Sequence, residues 1–337
     1  MVEVLLFFIG ASLLLYVLLG GADYGAGILE MLPAGEHRHA QKKVINEAMG
    51  PVWEANHMWL ILVVVILFMG FPLVFTTLMT SLHTPMVALL LGIVVRGCAF
   101  TFRHYDAIQE PHSQKVYTVL FAASSLWTAF WLGVIAASLN RGAVDLTALN
   151  FYDAYVAPWW GLYPTAMGVF VICIFAFLAS VYLVGETVSA ELRKLFLRRA
   201  YFFNIAVMVS GGLVFAASAF ENRYLFTAFF RNPLTVSMMA MATLLFVLLW
   251  FFIRKSRTLL TRAVAAGQVA LILAGWYLLH APNALITQQG PISFYDAAAP
   301  EATLQQLVVA LVVGSVFIFP SLFYLLKVFK SDSAQKF

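Results

Sequence analysis

The stretch Gly50-Pro51-Val52-Trp53-Glu54-Ala55-Asn56-His57-Met58-Trp59 sets an acid, an amide and an imidazole between two tryptophans, just ahead of an apolar run that continues to Leu78. Pro51 suits the first position of a helix, where its missing N–H would be unpaired in any case. His57 follows Glu54 by three residues, so the carboxylate and the imidazole share one side of that helix. A carboxylate and an imidazole both exchange protons, and together they could carry protons in or out of an apolar environment. Asp23 is the one group charged at neutral pH in Gly20-Gly21-Ala22-Asp23-Tyr24-Gly25-Ala26-Gly27, where four glycines in eight residues allow close backbone approach. Arg96 and Arg103 supply the complementary charge. Two readings stand for this set: an ion-pair network locking helices together, or a proton inlet built from Glu54, Asp23 and His57. Arg96 and Arg103 are the structural ion-pair candidates in both.

The elements that must position these groups are long apolar segments. Nine can be marked, at about 4–32, 51–79, 85–102, 116–139, 161–185, 200–220, 234–253, 263–281 and 304–326. The run from His57 to Thr77 alone has 21 residues, about 31 Å as a helix, enough to cross the hydrocarbon core of a bilayer. Sixteen of the twenty Lys and Arg residues fall in the loops after segments one, three, five and seven and in the C-terminal tail. That bias predicts an N-terminus outside and a C-terminus in the cytoplasm. It also puts Asp23, Glu54, His57 and Arg96 in one layer near the cytoplasmic side, with Arg103 close by. Residues 282–303 read as an irregular outer loop. The basic stretch Glu186–Arg199 reads either as a short surface helix or as a solvated turn.

Composition agrees with a membrane protein. The chain is 62% hydrophobic and 11% charged, with a mean hydropathy of +0.89, whereas soluble domains carry about 25% charged residues. The first segment reads as a retained span and not a signal peptide, because Glu3 stands where a basic region would be expected. A net charge of +4 confined to short loops is an orientation signal, so no nucleic-acid partner is expected. Cys98 and Cys173 lie within apolar segments and read as buried small hydrophobes. Haem would need paired axial ligands within the membrane, and His57 is the single deep histidine, so no haem or metal is expected on this chain. Nothing resembles a phosphate-binding loop, a dinucleotide fingerprint or a nucleophile elbow.

Taken in order, Gly20–Gly27, Gly50–Ile61, Phe71-Pro72, Arg96-Gly97 with Ala99-Phe100, Phe102-Arg103 and the late Phe319-Pro320 with Tyr324 resemble subunit II of the cytochrome bd-type quinol oxidases. The resemblance covers essentially the whole chain and is most specific over residues 20–103. It implies a respiratory complex that oxidises quinol and reduces oxygen to water. The haems, b and in some members d, belong to an obligate partner, subunit I. In some members the second subunit adds a proton route from the cytoplasm or a structural quinone, and some complexes carry a small single-helix subunit. Glu54 matches the acid of that proton route and Asp23 a nearby acid; Arg96 and Arg103 match arginines of the third helix. Two departures remove titratable groups: Gly20 and Thr101 stand where some members carry acids. His57 stands where some have glutamine.

The expected protein is therefore all-α, a polytopic membrane chain forming one integral membrane domain over residues 1–337. Nine helices would be arranged as a four-helix bundle over 1–139, a second over 140–281, and a ninth helix over 304–327. Its expected function is that of the non-haem oxidase subunit, embedded in membrane lipid of a prokaryotic cell. A scaffold without a proton role, and a stand-alone proton-coupled transporter, are the alternatives.

Overall fold

The computed structural model describes the chain except residues 50–52, 107–109, 188, 222, 256, 280 and 336–337, together with the side chains at 49, 53, 54, 223–225, 322, 323 and 325–335. The chain opens with α1 (Val2–Leu15), a π-helical turn (Tyr16–Gly20) and α2 (Gly21–Met31), which run on as one span of 30 residues. A 3₁₀ turn (Gly35–His37) and α3 (Arg38–Met49) lead to α4 (Trp53–Gly70), α5 (Pro72–Ser81), α6 (His83–Tyr105) and α7 (Pro111–Ser138). A short α8 (Phe151–Tyr155) precedes α9 (Leu162–Glu186) and α10 (Ala190–Glu221). Then come α11 (Arg223–Arg231), α12 (Pro233–Arg254), α13 (Thr258–Leu278), a hairpin of β1 (Asn283–Thr287) and β2 (Gly290–Ser293), and α14 (Glu301–Gln335).

Among the described residues, eight helices are long and apolar enough to cross a membrane. A ninth crossing requires counting the bent pair α4–α5 as one span. Its two halves are bent by 116° at the break, so the expected single helix over 51–79 is interrupted. Pro72 explains the break, because it has no N–H to continue the helix and restricts Phe71 before it. Phe71 leaves the helical region with φ −138° and ψ 62°. Its buried ring packs edge-on against Phe294 at 5.0 Å. The Gly70 carbonyl accepts a hydrogen bond from the Ala299 backbone N–H at 2.8 Å, so the 294–299 segment satisfies what the break exposes.

The most buried span is α9, which packs against α2, α7, α10 and α13. Small residues make this possible. A Cβ on Gly25 would strike the Phe175 carbonyl, and one on Gly133 would meet the backbone of Met167 and Gly168. Helices in a membrane gain little from hydrophobic sorting, so van der Waals fit at such crossings carries their association.

Three further expectations need correction. Residues 283–293 form an antiparallel hairpin rather than irregular loop, turning through Gly290 at φ +130°. The hairpin is pinned to the 139–147 loop by Ile286 N–H donating to Leu139 O and Gln288 N–H to Val144 O, at 2.9 and 2.8 Å. The stretch 186–199 is neither a surface helix nor only a turn, since α10 begins at Ala190 and runs straight through it. Cys98 is exposed and Cys173 half-buried. Lipid is as apolar as a protein core, so an apolar neighbourhood in sequence does not tell the inside of a bundle from its outside.

Replacing Gly25 by alanine should therefore destabilise the protein, by about 1–3 kcal/mol or more, because the added methyl meets backbone that cannot rotate away. Gly212→Ala in α10 is the control, as a Cβ there meets nothing within 4 Å. Thermal unfolding of the detergent-purified protein should show a loss only for Gly25→Ala. Equal melting temperatures would refute the close α2–α9 crossing.

Candidate functional site

Asp23 and Glu30 are seven residues apart on α2, and Arg96 and Arg103 are seven apart on α6. Seven residues are close to two helical turns, so each pair lies on one face of its helix, about 10.5 Å apart along the axis. The structure joins them as two rungs. Arg96 Nη2 lies 2.6 Å from Asp23 Oδ1, with both side chains 1% exposed. Arg103 Nη1 lies 2.8 Å from Glu30 Oε2, at 2% and 3% exposure. The ladder also shows that α2 and α6 run in the same direction.

Each arginine has further partners. Arg96 Nε donates to Ser125 Oγ of α7 at 3.0 Å. Its guanidinium carbon is 4.6 Å from the Tyr24 ring centre and 4.8 Å from that of Phe121. Arg103 donates a short hydrogen bond to Asn46 Oδ1 of α3, and its guanidinium carbon lies 4.5 Å from the Phe121 centre. Phe121, fully buried, thus separates the two cations while touching both. Gly27 allows this approach, because a Cβ there would collide with Ser125 and press on the Phe121 ring.

Around the first rung, Tyr16 and Tyr24 hydroxyls are 3.0 Å apart, across the π turn. Such single wide turns recur at functional sites. Gly20 closes the turn, and a Cβ there would meet the Tyr16 ring at 3.2 Å. The half-buried His57 ring lies 6.1 Å from the Tyr24 ring, edge to face. Buried Asn56 reaches the Leu19 carbonyl with a long hydrogen bond of 3.5 Å. Glu54 belongs to α4, but its side chain, like Pro51, lies outside the described residues. Asp23, Arg96 and His57 therefore gather around Tyr24, whereas Arg103 forms the separate rung with Glu30.

The end of α2 is closed by other elements. Gln41 Nε2 donates to Leu29 O at 2.8 Å. Arg199 of α10 donates to the carbonyls of Leu29, Leu32 and Pro33 at 3.4, 3.4 and 3.0 Å. Basic side chains suit the carbonyl end of a helix. Glu30, Asn46, Gln41 and Arg199 were not among the residues expected at the site. The seven-residue spacing of Glu30 after Asp23 matches that of the two arginines, but the match acquires meaning only once α2 is seen to lie beside α6. Among the described residues no group of three or more His, Cys, Asp or Glu is placed to hold a metal ion.

A charge buried at this depth and stripped of its partner costs about 3–5 kcal/mol. Arg103→Met alone, or Glu30→Gln alone, should lower the melting temperature and yield of the purified protein. The double variant should lose clearly less than the sum of the two. Additive losses would mean that the 2.8 Å pair contributes no coupling.

Comparison with known proteins identifies the family of the chain. The family model described as cytochrome bd terminal oxidase subunit II matches residues 1–329. A curated relative, cytochrome bd ubiquinol oxidase subunit 2 of Bacillus subtilis (strain 168), is 25% identical over 288 residues, covering 86% of this chain and 82% of its own. The solved structure of bd oxidase from Geobacillus thermodenitrificans superposes with a TM-score of 0.78 at 18% identity, covering 97% of this chain and 98% of the other, a likeness of fold. The chain thus belongs to the cytochrome bd terminal oxidase subunit II family, the multi-pass, non-haem partner of subunit I in a respiratory quinol oxidase complex.

Proposed function

We propose that this chain, besides supporting the haem-bearing subunit I, supplies a route by which protons reach the complex from the cytoplasm. Glu54, Asp23 and His57 are its candidate carriers, with Arg96 paired to Asp23 and Arg103 to Glu30. The observation that carries this reading is the unspent polar capacity at the two rungs. Asp23 Oδ2, Arg96 Nη1 and Glu30 Oε1 are buried and make no hydrogen bond among the described residues. Buried polar atoms are costly unless satisfied, and in a proton route ordered water is what satisfies them.

The reading takes the N-terminus as outside and the C-terminus as cytoplasmic, from the distribution of basic residues. Contacts between loops support the same alternation. Arg199, before the sixth segment, reaches the end of α2. Arg262, before the eighth, is 2.8 Å from Glu186 at the end of α9. On the same reading the haems reside in the partner, as does quinol oxidation, and the division into two four-helix groups and a last helix reflects the segment order.

Glu54→Gln keeps shape and hydrogen-bonding capacity but removes the proton. Oxygen consumption per haem in the purified complex should fall by about tenfold or more while haem content and subunit ratio hold. Turnover near that of the unsubstituted complex would leave this chain as a scaffold. For orientation, a reporter fused after Asn150 should be active only outside the cell, and one after Arg257 only inside. The opposite pair of results would overturn the assignment of sides.

A further inference from the structure

Between α3 and the first turns of α7 lies a cleft of about 810 Å³, lined by Arg38, His39, Lys42 and Lys43 from α3 and by Lys115 from α7. Among the described residues Glu47 is the one carboxylate in its lining, and Lys43 already lies 3.9 Å from it. Among the described residues, four Lys and Arg side chains against one acid leave a concentrated positive field. A basic loop satisfies the charge bias of a membrane protein wherever it lies, but it has no need of a cleft around which cations converge. Lys42 is half-buried there. Burial first, and then the positive charge of Arg103, push its ammonium below the ordinary lysine range. A cation held under those conditions is stabilised by an anion brought close to it.

The shape of the cleft says which anion. Thr118 and Val119 of α7 complete its wall, and Val119 follows Lys115 by four residues, so cation and apolar side chain stand on one stripe of the helix. Val119 is 55% exposed and Leu120 beside it 42%, both on the part of α7 that reads as membrane-spanning. A cationic mouth followed by an exposed apolar stripe is complementary to a phosphate ester carried on an acyl chain. The first residue of α7, Pro111, also lines the cleft, so the positive end of that helix adds to the field. We propose that this cleft binds the phosphate of an anionic phospholipid, with the headgroup among Lys42, Lys43 and Lys115 and an acyl chain along Val119. The floor of the cleft carries the site inward. Asn46 accepts the hydrogen bond from Arg103, and Gln114 donates to the Arg103 carbonyl at 3.3 Å. A bound headgroup would thus buttress the Glu30–Arg103 rung from outside, whether or not that rung serves protons.

The test uses the complex purified with its partner subunit, delipidated in mild detergent. It is titrated with phosphatidylglycerol, phosphatidylcholine or inorganic phosphate, and adducts are counted by native mass spectrometry. Phosphatidylglycerol should bind in preference to phosphatidylcholine. Its affinity should fall about tenfold or more in a Lys42→Ala/Lys43→Ala/Lys115→Ala variant. The Lys43→Glu/Lys115→Glu variant, which leaves the half-buried Lys42 untouched, should lose it too. Lys194→Ala/Arg198→Ala, on the exposed first turns of α10, should not. Equal binding of phosphatidylcholine, or equal loss in the α10 variant, would overturn the site in favour of diffuse attraction. Inorganic phosphate binding alone and displacing phosphatidylglycerol at similar concentration would overturn the lipid assignment and make this a free-phosphate site.

Discussion

Two arginine charges buried within a membrane-spanning bundle are the constraint on which the rest of this structure depends. A guanidinium cannot neutralise itself, so each must be met by an anion, by acceptors or by aromatic faces where it lies. Arg96 and Arg103 are each met by one carboxylate of α2, and both lean on Phe121. Because the rungs are seven residues apart on both helices, satisfying one sets the register for the other. A slip of one residue along α2 would turn both acids away together.

That demand propagates outward through small residues. The acids reach α6 only if α2 lies almost against α7, which Gly27 permits, and against α9, which Gly25 permits. The glycine-rich stretch around Asp23 is therefore the geometric condition for pairing as much as a source of flexibility. α3 then folds over the end of α2, where Gln41 and Asn46 take up a carbonyl and a guanidinium that would otherwise be stranded. Arg199 does the same from α10, tying the two halves of the chain together at one end.

The exposed surface is the inverse of this interior. Along α6, Leu90, Leu91, Val94 and Val95 are exposed while Arg96 is 1% exposed. In water such a helix would be inside out; in lipid, or against a partner subunit, it is stable. The same inversion explains why Cys98 can lie on the outside without a polar neighbourhood.

The sequence by itself determined that this is a helical membrane protein, because span length, hydropathy and the bias of basic residues are local quantities. It also singled out Asp23, Arg96 and Arg103, since charges within apolar runs are conspicuous wherever they pair. Three features were beyond it. Glu30 sits so near the end of its segment that it reads as an ordinary surface acid, and only the parallel placement of α2 beside α6 gives it Arg103 for a partner. The break at Phe71-Pro72 could be located in sequence, but its 116° bend could not, because a proline in a span is absorbed as a slight kink or a full turn depending on what satisfies the freed carbonyl. Here Ala299, more than two hundred residues later, supplies that hydrogen bond. The basic cleft likewise draws on α3 and α7, whose cations are scattered across two loops in sequence and meet only once the Arg103 rung has drawn those helices together. Charge, length and hydropathy act within a segment, whereas pairing, bending and cleft formation depend on which distant segment arrives to meet them.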